Sequence, residues 1–451
     1  MSPANQHEEI AAQIVRMALE RGATGAEATA AEGDEFEAGV RLGELETLKE
    51  AGSRAAGLRV LFGRCVGSAY SSDLTGEGLG RMVDSAVGLA RISTEDPFAG
   101  LPDPSSLGSL PGDLRLYSDS VELLETAFKI DLARAAERAA LNADPRIDNS
   151  EGGSFGSHSG WRAFANSRGF LGSYRTSSCS LSTVPVVTNG GARQRDYWHT
   201  SARALEGLES ADYVGRMAAA RVLRRIGARK AATQNVPVVF EPRAARSLVG
   251  HIFSATAGES IWQKASFLAG RLGETIAAPG VTIVDDATMP GLFGTSPFDD
   301  EGVPPRRTTV IDKGVLSSYL LNSYSARKLG LATTGNASRG VTGNAFTGHG
   351  NMYMMPGTTD PAAIVAGVKN GLLVTELLGS GVNIVNGDYS RGAAGLWIEN
   401  GEIAWPVHEI TIAGNLRRMF AQVEAVGSDL EFRGSLACPT LLIGEMTISG
   451  Q

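Results

Sequence analysis

The stretch Ser247–Gly258, "SLVGHIFSATAG", carries a histidine in a run that reads as helical, directly after the strand-like "VPVVFEP". A zinc-protease helix of the H-E-x-x-H kind needs two imidazoles on one face and a carboxylate beside the metal-bound water. Here His251 is followed by Ile252, and Ala255 and Thr256 stand where a second imidazole would fall. One imidazole is one ligand, so this segment does not by itself build a catalytic zinc site. The other histidines, His7, His158, His199, His349 and His408, are scattered singly, and no pair of the six has metal-ligand spacing.

Other chemistry-bearing patterns resolve into ordinary structure. "GGSFG", Gly152–Gly156, matches the G-x-S-x-G elbow of serine hydrolases around Ser154. That elbow needs a buried strand before it and a helix after it. Polar "PRIDNSE" precedes it and "SHSGWRAF" follows, so a polar turn between strands is expected. "FDDEG", Phe298–Gly302, gathers Asp299, Asp300 and Glu301 without the D-x-D-x-D-G spacing of a calcium loop; Arg306 and Arg307 stand ready to pair with them. "VDDATMPG" reads as a polar turn after a buried strand. The glycine clusters match neither a dinucleotide fingerprint nor a P-loop.

The elements that must position these residues follow from length and patterning. At 451 residues, 43% hydrophobic and 20% charged, the chain is long enough for two cores. A net charge of −8 with no long basic run disfavours nucleic-acid binding. Cys65, Cys179 and Cys438 are far apart and form no C-x-x-C pair, which indicates neither a disulfide framework nor a zinc knuckle. The N-terminus has no signal-peptide pattern and no apolar run approaches a membrane span, so a cytoplasmic, non-membrane protein is expected. Amphipathic helices are expected over His7–Arg21 (Ile10, Ile14, Met17 and Ala18 inward), "GLGRMVDSAVGLARIS", Ser120–Asn142, Ser210–Arg229 and Ala244–Ala257, with short ones near 323–329, 361–370 and 416–423. Strand hairpins are expected from "EFEAGVRLGELETLKEAG" and the segment after it, and several short strands between Arg146 and His199. Helices and strands mix without βαβ alternation, which indicates an α+β fold. "ARKAATQNVPVVFEP" reads as a boundary, dividing the chain into residues 1–233 and 234–451.

One resemblance extends over nearly the whole chain. The ordered segments "FANSRG", "RDYWHTSARALEGL", "VPVVFEPRAARSLVGHIFSATAG", "SFLAGRLGETIAAPGVTIVDD", "FDDEGVPPRRTTVIDKGVLSSYLLNSYSARKLGLATTGNASRG", "VTELLGSGVNIVNGDYSRGAAGLWIENGEIAWPVHEITIAGNL" and "CPTLLIGEMTISG" resemble the TldD/TldE (PmbA) family, most strongly from Val236 onward. The resemblance implies an N-terminal mixed α+β domain, a C-terminal mostly antiparallel β domain, and dimers around an internal chamber. In the TldD branch H-E-x-x-x-H and a later cysteine hold the metal of a peptidase acting on unfolded or short peptides. The segment around His251 lacks that motif and is similar to the TldE branch.

The resemblance therefore implies a subunit that binds no metal itself and supports a zinc-carrying TldD-like partner in a heterodimer. Its role would be to wall the chamber and hold an extended peptide by edge-strand pairing. Cys438, beside a proline and an apolar strand, is expected to be a buried structural thiol. Asp300, Glu301, Arg306, Asn336 and Arg339, in polar glycine-rich loops, are the expected chamber-lining residues. Two alternatives stay open. One is a stand-alone homodimer that cleaves an amide bond in a peptide-like metabolite, with His251 and a nearby carboxylate as its acid/base pair. The other is a non-enzymatic modulator of a protein partner such as DNA gyrase.

Overall fold

The structure, a computed structural model, describes residues 3–450 and has an α+β fold in two domains. The first domain is a seven-stranded antiparallel sheet in the order β3-β2-β1-β4-β5-β6, with β7 also on β5. Its strands are β1 (Gly25–Arg41), β2 (Glu44–Phe62), β3 (Cys65–Ser71), β4 (Ile147–Asn166), β5 (Leu171–Asn189), β6 (Ala192–Arg195) and β7 (Trp198–Ala202). Helices α1 (Pro3–Glu20), α2 (Gly76–Ile92), α3 (Asp119–Glu122), α4 (Thr126–Leu141) and α5 (Ala211–Leu223) all cover one face. Strand side chains alternate between faces. Ala26, Ala28 and Ala30 meet Ile14, Ala18 and Val83 at one end, and Phe36, Ala38 and Phe155 meet Ala133, Ala136 and Val214 at the other. The intervening residues, from Glu27 to Glu37 on β1 and from Ser154 to Phe164 on β4, therefore face away from the helices.

Two expectations are corrected here. The single helix from Ser120 to Asn142 is broken at Leu123, whose side chain is 78% exposed, so no burial rewards continuing it. The two pieces let Val121 and Ala133 both reach the core. The several short strands of 146–199 are instead mainly two long ones, of 20 and 19 residues, paired from Ala165↔Leu171 to Ile147↔Val187. The glycines that looked like punctuation are there for close packing. A Cβ at Gly153 would lie 2.4 Å from the carbonyl oxygen of Ala133 on α4. Ser154 accordingly sits mid-strand with its hydroxyl 2.8 Å from that of Ser182, and no elbow forms.

The second domain begins at β8 (Gln234–Phe240), followed by α6 (Pro242–Thr256) and α7 (Gly258–Trp262). Five strands, β9 (Ile283–Asp286), β10 (Arg307–Asp312), β11 (Val315–Leu316), β14 (Met352–Met354) and β19 (Leu436–Ala437), make one sheet. Between them come α8 (Ser323–Leu329) and the small ribbon of β12 (Ala337–Ser338) and β13 (Phe346–Thr347). A six-stranded sheet joins β8 to β15 (Asn370–Leu378), β16 (Asp388–Glu399), β17 (Glu402–Asn415), β18 (Val423–Val426) and β20 (Leu441–Ser449), with α9 (Pro361–Ala366) and α10 (Leu416–Ala421) at its ends. The apolar stripe of α6, Ala245, Leu248, Val249, Ile252 and Ala255, is buried in a core shared with Val238 and Leu372 of one sheet and Ile283 and Met352 of the other. That stripe anchors the helix, and His251 lies off it. Among the described residues no helix is long and apolar enough to cross a membrane.

Candidate functional site

The helix-free face of the first sheet carries unusually small side chains where the two domains meet. Gly33 lies opposite Gly160, Gly156 opposite Ser180, and His158 opposite Ser178. A low floor of this kind leaves space above it. Three cavities of about 490, 240 and 490 Å³ open over it and share walls: Phe293 between the first two, Tyr174 and Thr176 between the second and third, and His158 between the first and third. They form one trough running past Ser154 to Arg162 of β4, about 27 Å at the rise of an extended strand. The other wall comes from the second domain, from Phe293–Asp300 and Gly335–Gly350.

A buried ion network fixes that wall to the sheet. Arg339 Nη1 lies 2.6 Å from Glu27 Oε1, and Arg59 Nη1 is 2.9 Å from the same oxygen. Burial alone would raise the Glu27 carboxyl, but the two guanidiniums outweigh it and hold it below the ordinary glutamate range. Arg59 also donates to Asn344 at 2.8 Å, and Arg162 on β4 donates to Asp300 at 2.7 Å. Gly57 of β2 takes the loop so closely that a Cβ there would stand 2.0 Å from the carbonyl oxygen of Val341.

Around the 240 Å³ part of the trough Asp300 is paired with Arg162, but the buried carboxyls of Asp299 and Asp285 lack such neutralisation. Asp299 accepts backbone N–H groups from Glu301, Val303 and Ala337, at 2.9, 2.9 and 3.0 Å. Burial and the neighbouring Glu301 nevertheless push its carboxyl well above the usual range. Asp285 accepts from Asn336 Nδ2 at 2.7 Å and is pushed up to about 6, mainly by burial. His349 donates from Nδ1 to the carbonyl of Gly350 at 2.8 Å, and its ring packs edge-to-face with Phe253. Raised carboxyls and an oriented imidazole beside a cavity form an arrangement suited to moving protons.

The residues expected from the sequence are dispersed across this region. Asp300 and Asn336 line the trough. Glu301 instead faces a separate cavity of about 190 Å³ beside Arg59 and Glu259, and accepts from the Ser323 N–H at 2.9 Å. Arg339 lines neither the trough nor this cavity, and its Nη1 is held by Glu27. Arg306 is exposed and also lines neither. The expected pairing of Arg306 and Arg307 with Asp299–Glu301 is corrected: Asp300 takes Arg162, and Arg307 reaches Asp286 at 3.8 Å. Sequence reasoning passed over Tyr174, Arg203 and His349 as trough components, since spatial approach alone unites them.

Whether His251 could hold zinc is answered by its surroundings. Its ring meets Tyr389 edge-on at 6.0 Å, and its Nε2 has no hydrogen-bond partner. Burial, with the positive charge of Arg391, lowers its pKa to about 4, so it stays neutral. A guanidinium and a buried phenol are not a metal's donor set, and among the described residues no three His, Cys, Asp or Glu side chains converge on a metal position. Cys438 is 1% exposed, its thiol pushed far up by burial. Zinc does not fit this site, and His251 lines neither the trough nor the cavity of about 190 Å³.

Fold and trough together define an α+β protein with an extended channel over the helix-free face of its first sheet. The chain belongs to the PmbA/TldD metallopeptidase family. Residues 26–90, 119–226 and 233–450 match the PmbA/TldA metallopeptidase domain 1, central domain and C-terminal domain. It is 39% identical to Metalloprotease PmbA of Escherichia coli O157:H7, covering 100% of this chain and 98% of that one. A PmbA homologue of Haemophilus influenzae is 36% identical over 97% of this chain and 94% of its own, and a TldD homologue of the same organism 25% over 88% and 87%. A Bacteroides thetaiotaomicron protein named a candidate modulator of DNA gyrase superposes with a TM-score of 0.91 at 29% identity, covering 99% of both chains. TldE of Thermococcus kodakarensis shares the fold, with a TM-score of 0.88 at 21% identity over 98% of this chain and 100% of that one.

Proposed function

We propose that this chain is the TldE-type subunit of a TldD/TldE-type metalloprotease acting on unfolded or short peptides. In this reading it holds the peptide extended while a TldD-like partner with H-E-x-x-x-H supplies the zinc and the hydrolytic step. The observation that carries the reading is the trough: a long channel floored by glycine and serine, on which no zinc donor set converges among the described residues. A low floor with few large side chains suits an extended chain of varied sequence. Beside it β2 has a free edge from Glu44 to Ala55, since β3 pairs only with Ala56–Phe62. Lys49, Ser53 and Arg54 of that edge line the trough, so a peptide could pair with the edge and lay alternate side chains over the floor. The free, unpaired cysteines suit a cytoplasmic setting.

The stand-alone hydrolase reading required His251 in a ligand-sized pocket beside a carboxylate, and its neighbours are Tyr389 and Arg391. The gyrase reading rests on the names of structural relatives.

The test is elemental analysis of the purified chain, alone and co-expressed with a TldD-like partner, with cleavage of unfolded peptides followed in parallel. Cleavage and stoichiometric zinc should appear only with the partner. His251→Gln should leave the pair's rate within about twofold. Zinc or cleavage in the lone chain overturns the reading.

A further inference from the structure

Away from the trough, a cavity of about 450 Å³ lies where α5 and β7 of the first domain meet the start of α6, α9 and β19 of the second. Its apolar wall is built from Pro242, Pro361, Val365, Leu373 and Leu436. Five guanidiniums also line it, Arg221, Arg224, Arg243, Arg246 and Arg433, against the carboxyls of Glu241, Asp429 and Glu431.

Four of these arginines are committed. Arg221 and Arg224 hold Glu241 at 3.1 and 2.8 Å, and Arg221 also reaches buried Asp196 at 3.2 Å. Arg433 pairs with Glu209 and Glu431 at 2.7 and 2.6 Å and stacks on Trp198. Arg243 donates to the Tyr197 carbonyl at 3.0 Å, lies over the Tyr197 ring and stands 3.8 Å from Asp196. The carboxyls are likewise spoken for: Asp429 accepts from the Thr440 amide and hydroxyl at 2.9 and 2.7 Å.

Arg246 is different. It is half-buried in the cavity wall, one turn along α6 from Arg243, and among the described residues it has neither hydrogen bond nor ion pair. The charge of Arg246 is felt next door. His199 is lowered to about 4 by burial and by the charges of Arg243, Arg246 and Arg433. A part-buried guanidinium has lost hydration that only an anion restores in full, and one uncommitted charge calls for a monoanion.

We propose that this cavity is a second binding site, for a small apolar molecule ending in a single carboxylate, such as the C-terminal end of a short apolar peptide. The carboxylate pairs with Arg246 and the apolar body lies against Pro361, Val365 and Leu436. A cavity of this volume, mostly apolar with one convergent polar anchor, has the usual make-up of a small-molecule site. The site does not depend on the peptidase reading, and because Arg246 holds no other group its removal leaves the fold intact.

The experiment is calorimetric titration of the full chain with N-acetyl-leucyl-leucine and with its C-terminal amide. The acid should bind at least about tenfold more tightly than the amide, the margin of one charge-assisted hydrogen bond. Arg246→Gln should weaken the acid about tenfold and leave the amide unchanged, erasing the difference. Val365→Trp, which fills the cavity, should abolish binding of both, whereas Arg306→Gln should change neither. Equal affinity for acid and amide, binding that survives Val365→Trp, or no saturable binding at millimolar ligand overturns the proposal. So does binding that vanishes when a partner subunit is present, which would make the cavity a socket for that subunit.

Discussion

Two buried glutamates face each other across the seam between the domains and meet opposite fates. Glu27, on the first sheet, sits between Arg59 and Arg339 and is held ionised, its carboxyl lowered below the ordinary range. Glu301, on the loop of the second domain, is equally buried, but burial and the charge of Glu27 itself raise its carboxyl. What separates them is the origin of the counter-charge. Arg339 belongs to the second domain and reaches into the first, so the pair exists only when the domains are docked. Glu301 receives one backbone N–H from Ser323 and no guanidinium at salt-bridge distance. In a medium of low polarisability such a difference decides sign as well as size. The seam therefore has a side that locks the domains and a side, at the separate cavity of about 190 Å³, where the Glu301 carboxyl is not neutralised.

The strongest way to break this contrast is Glu27→Ala. It leaves two guanidiniums buried without their anion, and breaking a buried pair costs about 3–5 kcal/mol. Urea unfolding should register a loss in that range; a loss below about 1 kcal/mol would mean that the network contributes little. Acid should mimic the change. Because Glu27 is lowered on folding, its contribution is present above the unfolded-state pKa and disappears as pH falls through the folded value.

Gly57→Ala attacks the same lock sterically. The new Cβ meets the Val341 carbonyl, so the loop must retreat and Arg339 with it. An overpacking cost of about 1–3 kcal/mol is expected, with faster hydrogen exchange at Arg339–Asn344. Unchanged exchange there would show that the loop adapts elsewhere.

Glu301→Gln should have the smallest effect, and with the opposite sign. A raised carboxyl costs stability above its folded pKa, and that cost fades as pH falls toward the unfolded value. Glutamine keeps an oxygen for the Ser323 amide and removes the charge. Thermal unfolding at pH 8 should therefore show a gain of about 1 kcal/mol, absent near pH 4. A loss at pH 8 would show that the carboxylate is compensated after all.

Much of the scaffold was legible in the residues. The helix-period stripe Ala245, Leu248, Val249, Ile252 marked α6, and the α8 range 323–329 was read directly. The long strands were not. "GGSFGSHSG" lacks the apolar alternation by which a strand is recognised, because one face of it floors a trough and the other must admit α4 closely. Asp300 and Asn336 could be suspected from polar loops. Nothing local distinguished Arg339, which is spent on Glu27, from a residue that lines a cavity.

By itself the sequence determined the α+β class, the family and the failure of the His251 segment to offer more than one imidazole. Those depend on local periodicity, residue type and the order of long motifs, all carried along the chain. Tertiary structure alone decided which charges are neutralised. Glu27 and Arg339 are 312 residues apart, and Glu209 and Arg433 are 224 apart. Electrostatic energy depends on distance and burial in space, and neither is written in the spacing of residues. The same reason leaves Arg246 indistinguishable in the sequence from its four committed neighbours and distinct from them in the fold.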